Sequence, residues 1–423
     1  MEDSDKKRKE AMLLRQQHRY EEALPIYRQL WENDQRNPWD GWGLALCLQQ
    51  LKQYKESIDI CEEIIKKHGN YDYIKNLYIW SLFYYIKNET LSNDEFEYIA
   101  KKILENTTNE DKIFSAVILK WIHRLKGEPN YPALKILKLL DMLDINRLNK
   151  EALEITQDGK KIEIASEYEQ YFMHKSKALY ELSEYEKCIE ISNAAITSLK
   201  RFHYNNDIWF KWRIALSFKN MQRYDESLEK LIEIVRIKKD WFIQKEIAEI
   251  YFIQNKYDDA LSFAIDSILN AGEIDKKIYV IILLCEIFEK KQMHYEAGLH
   301  YLLAKNIIDK NGWKIQVPIQ LKDKFNDFGA QANDIHRELK KIWNQINDAK
   351  MDRYDGIIIN YLSNNQAGFI KCHNQTYYFK VADLYGKKED YSIGTKVTFS
   401  LVDSYDKKKN KPVKNAVKIK KIS

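Results

Sequence analysis

Most of the chain repeats apolar residues at i, i+3, i+4 and i+7, the spacing that draws one stripe along a helix. Between Asn70 and Ile164 the stretches YIKNLYIWSLFYYIKN, DEFEYIAKKIL, DKIFSAVILKWIHRL and YPALKILKLLDML each carry it. Ser92 or Asn93 is placed to cap the second stretch, and Gly127 with Pro129 to end the third. EITQDGKKIEIA turns at Asp158-Gly159, and its weak alternation reads either as a short hairpin or as a join between helices. A long helix is predicted from about Leu321 to Ala349, with Ile335, Leu339, Ile342 and Ile346 as its stripe. Beyond Met351 the period falls to two: YDGIIINYL, AGFIKC, TYYFKV, KVTFSLVD and VKNAVKIKKI predict five strands.

The helical part also repeats itself. RYEEALPIY (Arg19 to Tyr27) and QYKESIDIC (Gln53 to Cys61) align with a 34-residue offset that pairs Tyr20 with Tyr54, Ala23 with Ser57, Ala11 with Ala45 and Leu14 with Leu48. The register resembles the tetratricopeptide repeat, a helix-turn-helix unit. In that family small residues sit where paired helices approach closely, and a Tyr fills the start of the second helix. Tyr185, Tyr224 and Tyr257 restate the signature, and HYEAGLHYLLAKNI carries a last copy. Measured from Cys188 through Ser227 and Ala260 to Ala297, the later intervals are 39, 33 and 37 residues. Cys61, Cys188 and Cys285 fall on repeat core positions.

The expected organisation is a mainly α, tetratricopeptide-like solenoid over residues 1–315, divergent within 70–164, then a helix over 316–350 and a small all-β barrel over 351–423. The helix reads as a cap on the exposed end of the repeats, which such arrays require; the alternative is a coiled-coil dimer seam.

Composition agrees with a chain folded nearly throughout, since 13 Gly and 6 Pro in 423 residues leave little for linkers. The N-terminal residues are charged and lack the apolar core of a signal peptide, and no apolar run is long enough to span a membrane, so a cytoplasmic location is expected. Five scattered cysteines without a CxxC spacing read as buried core residues rather than a zinc site or disulfide framework. Charge is unevenly spread. Residues 351–423 hold 14 basic against seven acidic side chains, a net +7 within a total of +5, which leaves −2 for residues 1–350. The basic end is where a phosphate backbone would find the chain.

Five short strands with a basic hairpin describe an OB-type barrel, and this one resembles the cold-shock family. Gly356 stands at the family's spacing from Gln366, Ala367, Gly368, Phe369 and Ile370, which occupy its G-F-G-F-I motif. Tyr377, Tyr378, Phe379, Lys380 and Val381 occupy V-F-V-H-F, and IGTKVTF and KPVKNAVKI match the closing strands. The resemblance implies binding of single-stranded RNA or DNA. If Tyr377, Phe379 and Val381 point inward, alternation turns Tyr378 and Lys380 outward beside Phe369 and Lys371, which makes aromatic faces flanked by lysines. Tyr361 stands where the family has a first-strand Phe, and Lys407, Lys408, Lys409 and Lys411 add a cationic rim. Ala367 and Asn360 replace two of the family's rings, which lowers expected affinity by about 2 to 6 kcal/mol.

No GxxxxGK[ST], HExxH, GxSxG or post-strand GxGxxG is present, and the nine histidines are scattered. The expected function is that of a non-enzymatic adaptor without cofactor, metal, membrane contact or small-molecule substrate: the repeats hold a protein partner on their concave face and the barrel holds single-stranded RNA or DNA. The domain pairing resembles proteins of TOTE-type bacterial conflict (phage-defence) systems. The alternative is a pure assembly scaffold whose barrel docks protein.

Overall fold

In the computed structural model, residues 2–33, 37–157, 159–328, 335–363, 366–406 and 411–422 are described. They form two compact units, Met1–Arg223 and Tyr224–Ser423. The first holds α1 (Glu2–Gln16), α2 (Tyr20–Asn33), α3 (Pro38–Gln50), α4 (Tyr54–His68), α5 (Asp72–Asn88), α6 (Asn93–Glu105), α7 (Lys112–Leu125), α8 (Ala133–Leu140), strands β1 (Leu153–Gln157) and β2 (Lys160–Ile164), then α9 (Glu167–Glu181), α10 (Tyr185–Ser198) and α11 (Asn206–Asn220). The second holds α12 (Tyr224–Ile237), α13 (Trp241–Ile253), α14 (Tyr257–Leu269), α15 (Ile278–Lys290), α16 (His294–Asn311), α17 (Ile319–Phe325), α18 (Ile335–Ala349) and strands β3 (Tyr354–Tyr361), β4 (Ala367–Cys372), β5 (Gln375–Lys380), β6 (Lys396–Asp406) and β7 (Lys411–Lys421). The fold class is mainly α, in tetratricopeptide-like helical pairs, followed by a closed all-β barrel.

The repeat is punctuated by a shared stop. His18, Lys52, Ser183, Gln222, Asn255 and Gln292 all have φ between 60° and 63°, and their intervals of 34, 39, 33 and 37 within the two repeat series match those of the small residues. Each closes a helix with the paired bonds of a Schellman motif, as where Lys52 N–H donates to Gln49 O (3.0 Å) and Gln53 N–H to Leu48 O (2.9 Å). None of the six is glycine. At three of them the side chain meets the hydroxyl of the tyrosine two residues on: His18 with Tyr20 (2.7 Å), Ser183 with Tyr185 (3.2 Å) and Asn255 with Tyr257 (2.6 Å). The tyrosine that opens the second helix therefore ties back to the turn that precedes it.

Where the helices cross, small residues carry the contact. Ala11, Ala23, Ala45, Ser57, Cys61, Cys188, Ala195, Ala260 and Ala264 are fully buried. Three donors reach a carbonyl 12 residues away: Ser57 Oγ to Ala45 O (2.8 Å), Cys188 Sγ to Ser176 O (3.2 Å) and Cys285 Sγ to Ala297 O (3.2 Å). All five cysteines are buried, and burial pushes the Cys61 thiol up to about 12.

The divergent stretch remains helical, with Ser92 and Glu95 forming a capping box on α6. Of the two readings for Glu154 to Ile164 the hairpin holds, because β1 and β2 pair antiparallel from Leu153 opposite Ile164 to Gln157 opposite Lys160; Asp158 of the expected turn lies outside the described residues. One expectation is corrected: the single helix from Leu321 to Ala349 is two, α17 and α18. Asn326 and Asp327 favour turns over helix interiors, and the turn drops the Phe328 ring onto Gly298 of α16. A Cβ at Gly298 would stand 2.6 Å from that ring.

α18 packs on the repeats through Leu339 and Trp343, both buried. Trp343 Nε1–H donates to His300 Nε2 (2.8 Å), and His300 Nδ1–H donates to Glu296 O (2.7 Å), so both imidazole nitrogens are committed in the neutral tautomer. Burial pushes His300 down to about 4, and burial beside Lys126 and other cations pushes His174 of α9 down to about 3.

Two outcomes follow. Lys52→Gly should raise the melting temperature, because glycine adopts the left-handed turn without the Cβ penalty and gains about 0.5 to 1 kcal/mol; Asn255→Gly should gain less, since it also loses the Tyr257 bond. Equal gains would refute the role given to the tyrosine. For His300 the unfolded chain binds a proton near 6.5 and the folded one only near 4, so stability is complete above about 6.5 and falls as pH drops toward 4, by on the order of 3 kcal/mol. Melting curves from pH 7 to 5 should fall more steeply for the native chain than for His300→Gln.

Candidate nucleic-acid interface

The barrel closes in the order β3-β4-β5-β7-β6, with β3 pairing β6 to complete the ring. That is the five-stranded connectivity of an OB-like barrel. Ile358, Ile370, Phe379, Val397, Phe399, Ala416 and Ile419 are fully buried and fill it. Gly368 makes room for this core, since a Cβ there would lie 2.5 Å from Asn360 O and 2.7 Å from the Phe379 ring.

With Ile370 and Phe379 inside, the pleat sends their neighbours out. Phe369 and Tyr378 are direct cross-strand partners, half-buried, with ring centroids 5.9 Å apart and planes inclined at 71°. Lys371 stands opposite Thr376 and Lys380 opposite Ala367, and both lysines are exposed. The structure thus brings Phe369, Tyr378, Lys371 and Lys380 onto one outer face. Ala367, where the family resemblance would place a ring, is buried.

Tyr361 lies elsewhere. A bulge shifts the β3 register between Ile358 and Asn360, and beyond it Tyr361 packs edge-on against Phe379 (5.7 Å) with its hydroxyl donating to Tyr391 O (2.6 Å). Burial, helped by Tyr391, raises its pKa. Lys388 Nζ sits 5.2 Å from the same ring. Lys407, Lys408 and Lys409 lie outside the described residues, and Lys411 opens β7 opposite Asp406.

Sequence reasoning missed three participants. Ile357 is 42% exposed and stands directly opposite Lys371, so the outer face has an apolar margin; the run Ile357-Ile358-Ile359 hides which isoleucine faces in. Lys388 gave no signal in a turn. The third is Lys418, whose φ of 52° marks a bulge in β7 opposite Thr398 to Ser400. Arg353 clamps this bulge, donating to Thr398 O (2.7 Å) and Lys418 O (2.8 Å).

The bulge turns Lys418 toward Asp348 of α18, where Nζ lies 2.7 Å from Oδ1 as an ion pair. Tyr385 donates to the other carboxylate oxygen, and Lys420 is 4.0 Å from it. Burial pushes the Asp348 carboxyl up, but Lys418 and Tyr385 outweigh it and hold it below its ordinary value. Lys350 Nζ, next along the chain, pairs with Asp266 of α14 at 2.9 Å.

Among the described residues no group of three or more His, Cys, Asp or Glu is arranged to hold a metal, and no helix is long and apolar enough to cross a membrane.

A family model for the tetratricopeptide repeat matches residues 14–78. No curated protein matches the chain in sequence. Similar solved structures include MamA from Desulfovibrio magneticus RS-1, at 12% identity and TM-score 0.35 over 47% of this chain and 95% of that one. Another is human IFIT1, a dimer solved with m7Gppp-AAAA, at 12% identity and TM-score 0.38 over 80% of this chain and 78% of that one. A third is TTC0263, a thermophilic TPR protein of Thermus thermophilus, at 12% identity and TM-score 0.23 over 59% and 99%. The tetratricopeptide repeat is thus shown for residues 14–78; nothing about the chain's ligands follows from these likenesses.

The inward and outward rings should separate on mutation. Phe379→Ala removes a buried ring, at a cost of about 3 to 5 kcal/mol, and should abolish hydrogen-exchange protection across residues 354–421. Phe369→Ala should leave that protection intact. Loss of protection in both would show that Phe369 belongs to the core.

Proposed function

We propose that the protein is a non-enzymatic adaptor whose tetratricopeptide repeats hold a protein partner and whose barrel, a cold-shock-like OB domain, binds single-stranded RNA or DNA. One observation carries the second half: Phe369 and Tyr378 form a cross-strand aromatic pair on the outer face with Lys371 and Lys380 on the same two strands. Bases stack on such rings while the ammonium groups neutralise the strand's phosphates. The first half rests on the repeats, whose stacked pairs offer extended surface for a peptide or domain.

The platform is small. Tyr361 is turned into the barrel and Ala367 has no ring, so the barrel alone supplies one aromatic pair. A partner held by the repeats raises the effective concentration of strand at the barrel, and avidity makes up the affinity. We place such a tether in a bacterial conflict system of the TOTE type, in the cytoplasm, beside a separately encoded effector.

Filter binding of the full chain to single-stranded RNA and DNA oligonucleotides tests the barrel. Phe369→Ala and Tyr378→Ala should each weaken binding about fivefold or more, in line with about 1 to 3 kcal/mol per stacked base, with barrel exchange protection retained. Undiminished binding by both variants would remove the platform, and the barrel would then be a protein-docking module.

A further inference from the structure

The first unit contains a second concentration of positive charge that its net composition conceals. Lys87 ends α5, Lys120 lies on α7, Lys126 caps the end of α7, Lys177 lies on α9 and Arg213 on α11. α7 packs on α9, and α9 on α11, so these side chains come from successive first helices of neighbouring pairs. Arg213 is only 9% exposed, yet its guanidinium meets no carboxylate among the described residues: Nη1 donates to Ser176 Oγ (2.9 Å) and approaches Met173 Sδ (3.6 Å). Lys177 Nζ stands 4.1 Å from the centroid of the Tyr131 ring, and the Tyr131 hydroxyl is buried without a hydrogen-bond partner among the described residues. None of the four lysines has an ion pair within 4 Å among the described residues. Glu181 is the one carboxylate among them whose charge reaches Arg213 and Tyr131.

A buried arginine is ordinarily matched by an acid, because an unpaired charge costs several kcal/mol to desolvate. Here burial outweighs the pull of Cys188, Tyr131 and Glu181 and lowers Arg213. Burial lowers Lys126, and Lys177 and Arg213 push it the same way; burial and Lys126, His123, Arg213 and Lys177 all act against a proton on His174. Lys126 is solvent-accessible and still depressed, as happens to an ammonium with protein walls around it. Such an arrangement is stable when an anion completes it.

The charge is dense, since five cations with no carboxylate in ion-pair contact among the described residues ask for a ligand charged at nearly every step, and a phosphodiester chain supplies one charge per nucleotide. Aromatic surface is interleaved with it: the Tyr131 ring lies under Lys177, and Trp209 and Trp212, 5.5 Å apart, precede Arg213 on α11. Rings among cations suit bases among phosphates. An acidic peptide would use the cations and leave the rings idle.

We infer that the surface formed by Lys120, Lys126, Tyr131, Lys177 and Arg213 is a second nucleic-acid site, which takes the phosphates of a single-stranded RNA or DNA independently of the barrel.

The test uses the full chain and fluorescence anisotropy with a labelled 12-mer oligouridylate over a salt series. Lys126→Glu with Lys177→Glu, both surface-accessible, should weaken binding at least tenfold and lower the slope of log K against log salt by about two, with the thermal melt unchanged. The same loss should appear in a Phe369→Ala/Tyr378→Ala background, which separates this site from the barrel. Arg213→Lys serves as a second variant that keeps the charge but loses the fork; it should weaken binding without changing the slope. Native affinity and slope in the double reversal would overturn the inference. So would displacement of the oligouridylate by a glutamate 12-mer at equal concentration, which would assign the surface to acidic peptides.

Discussion

The fold depends on how closely two helices can pass. A pair joined by a short turn buries its stripe only if the crossing point holds side chains no larger than alanine, serine or cysteine. The thiol or hydroxyl found there has a further duty, because a buried polar group must find a partner. It finds the carbonyl 12 residues away on the sister helix, as Ser57, Cys188 and Cys285 show. The same atom therefore permits the approach and pins it. Larger apolar residues such as Tyr27, Trp31 and Phe288 fill the space on either side.

Much of this was legible because a turn of fixed construction forces a fixed sequence interval. The left-handed residues recur at the spacings of the small residues since both are counted from the same stop. What the periodicity could not decide were places where one tertiary contact chooses. Phe328 settling on Gly298 divides a stripe that would have served one helix. The hairpin of β1 and β2 shares its local pattern with a helix join, and only strand pairing separates them.

The outer face of the barrel was legible to the extent that alternation runs unbroken. On β4 and β5 it does, and Phe369, Tyr378, Lys371 and Lys380 share a face. On β3 a one-residue bulge breaks it, and Tyr361 lands on Phe379 instead. Bulges leave no composition signature in a run of three isoleucines. Net charge fails for a different reason: a sum over residues 1–350 cancels acids on outward helix faces against cations gathered beside Arg213, so −2 describes neither place. Position, not total, sets the local field.

The clamp at Asp348 gives the barrel a mounting whose strength depends on the medium. Its grip on α18 is ionic through Lys418 and Lys420, joined by a hydrogen bond from Tyr385, and partly open to water, so added salt weakens it. Raising ionic strength would loosen the barrel's seat on α18.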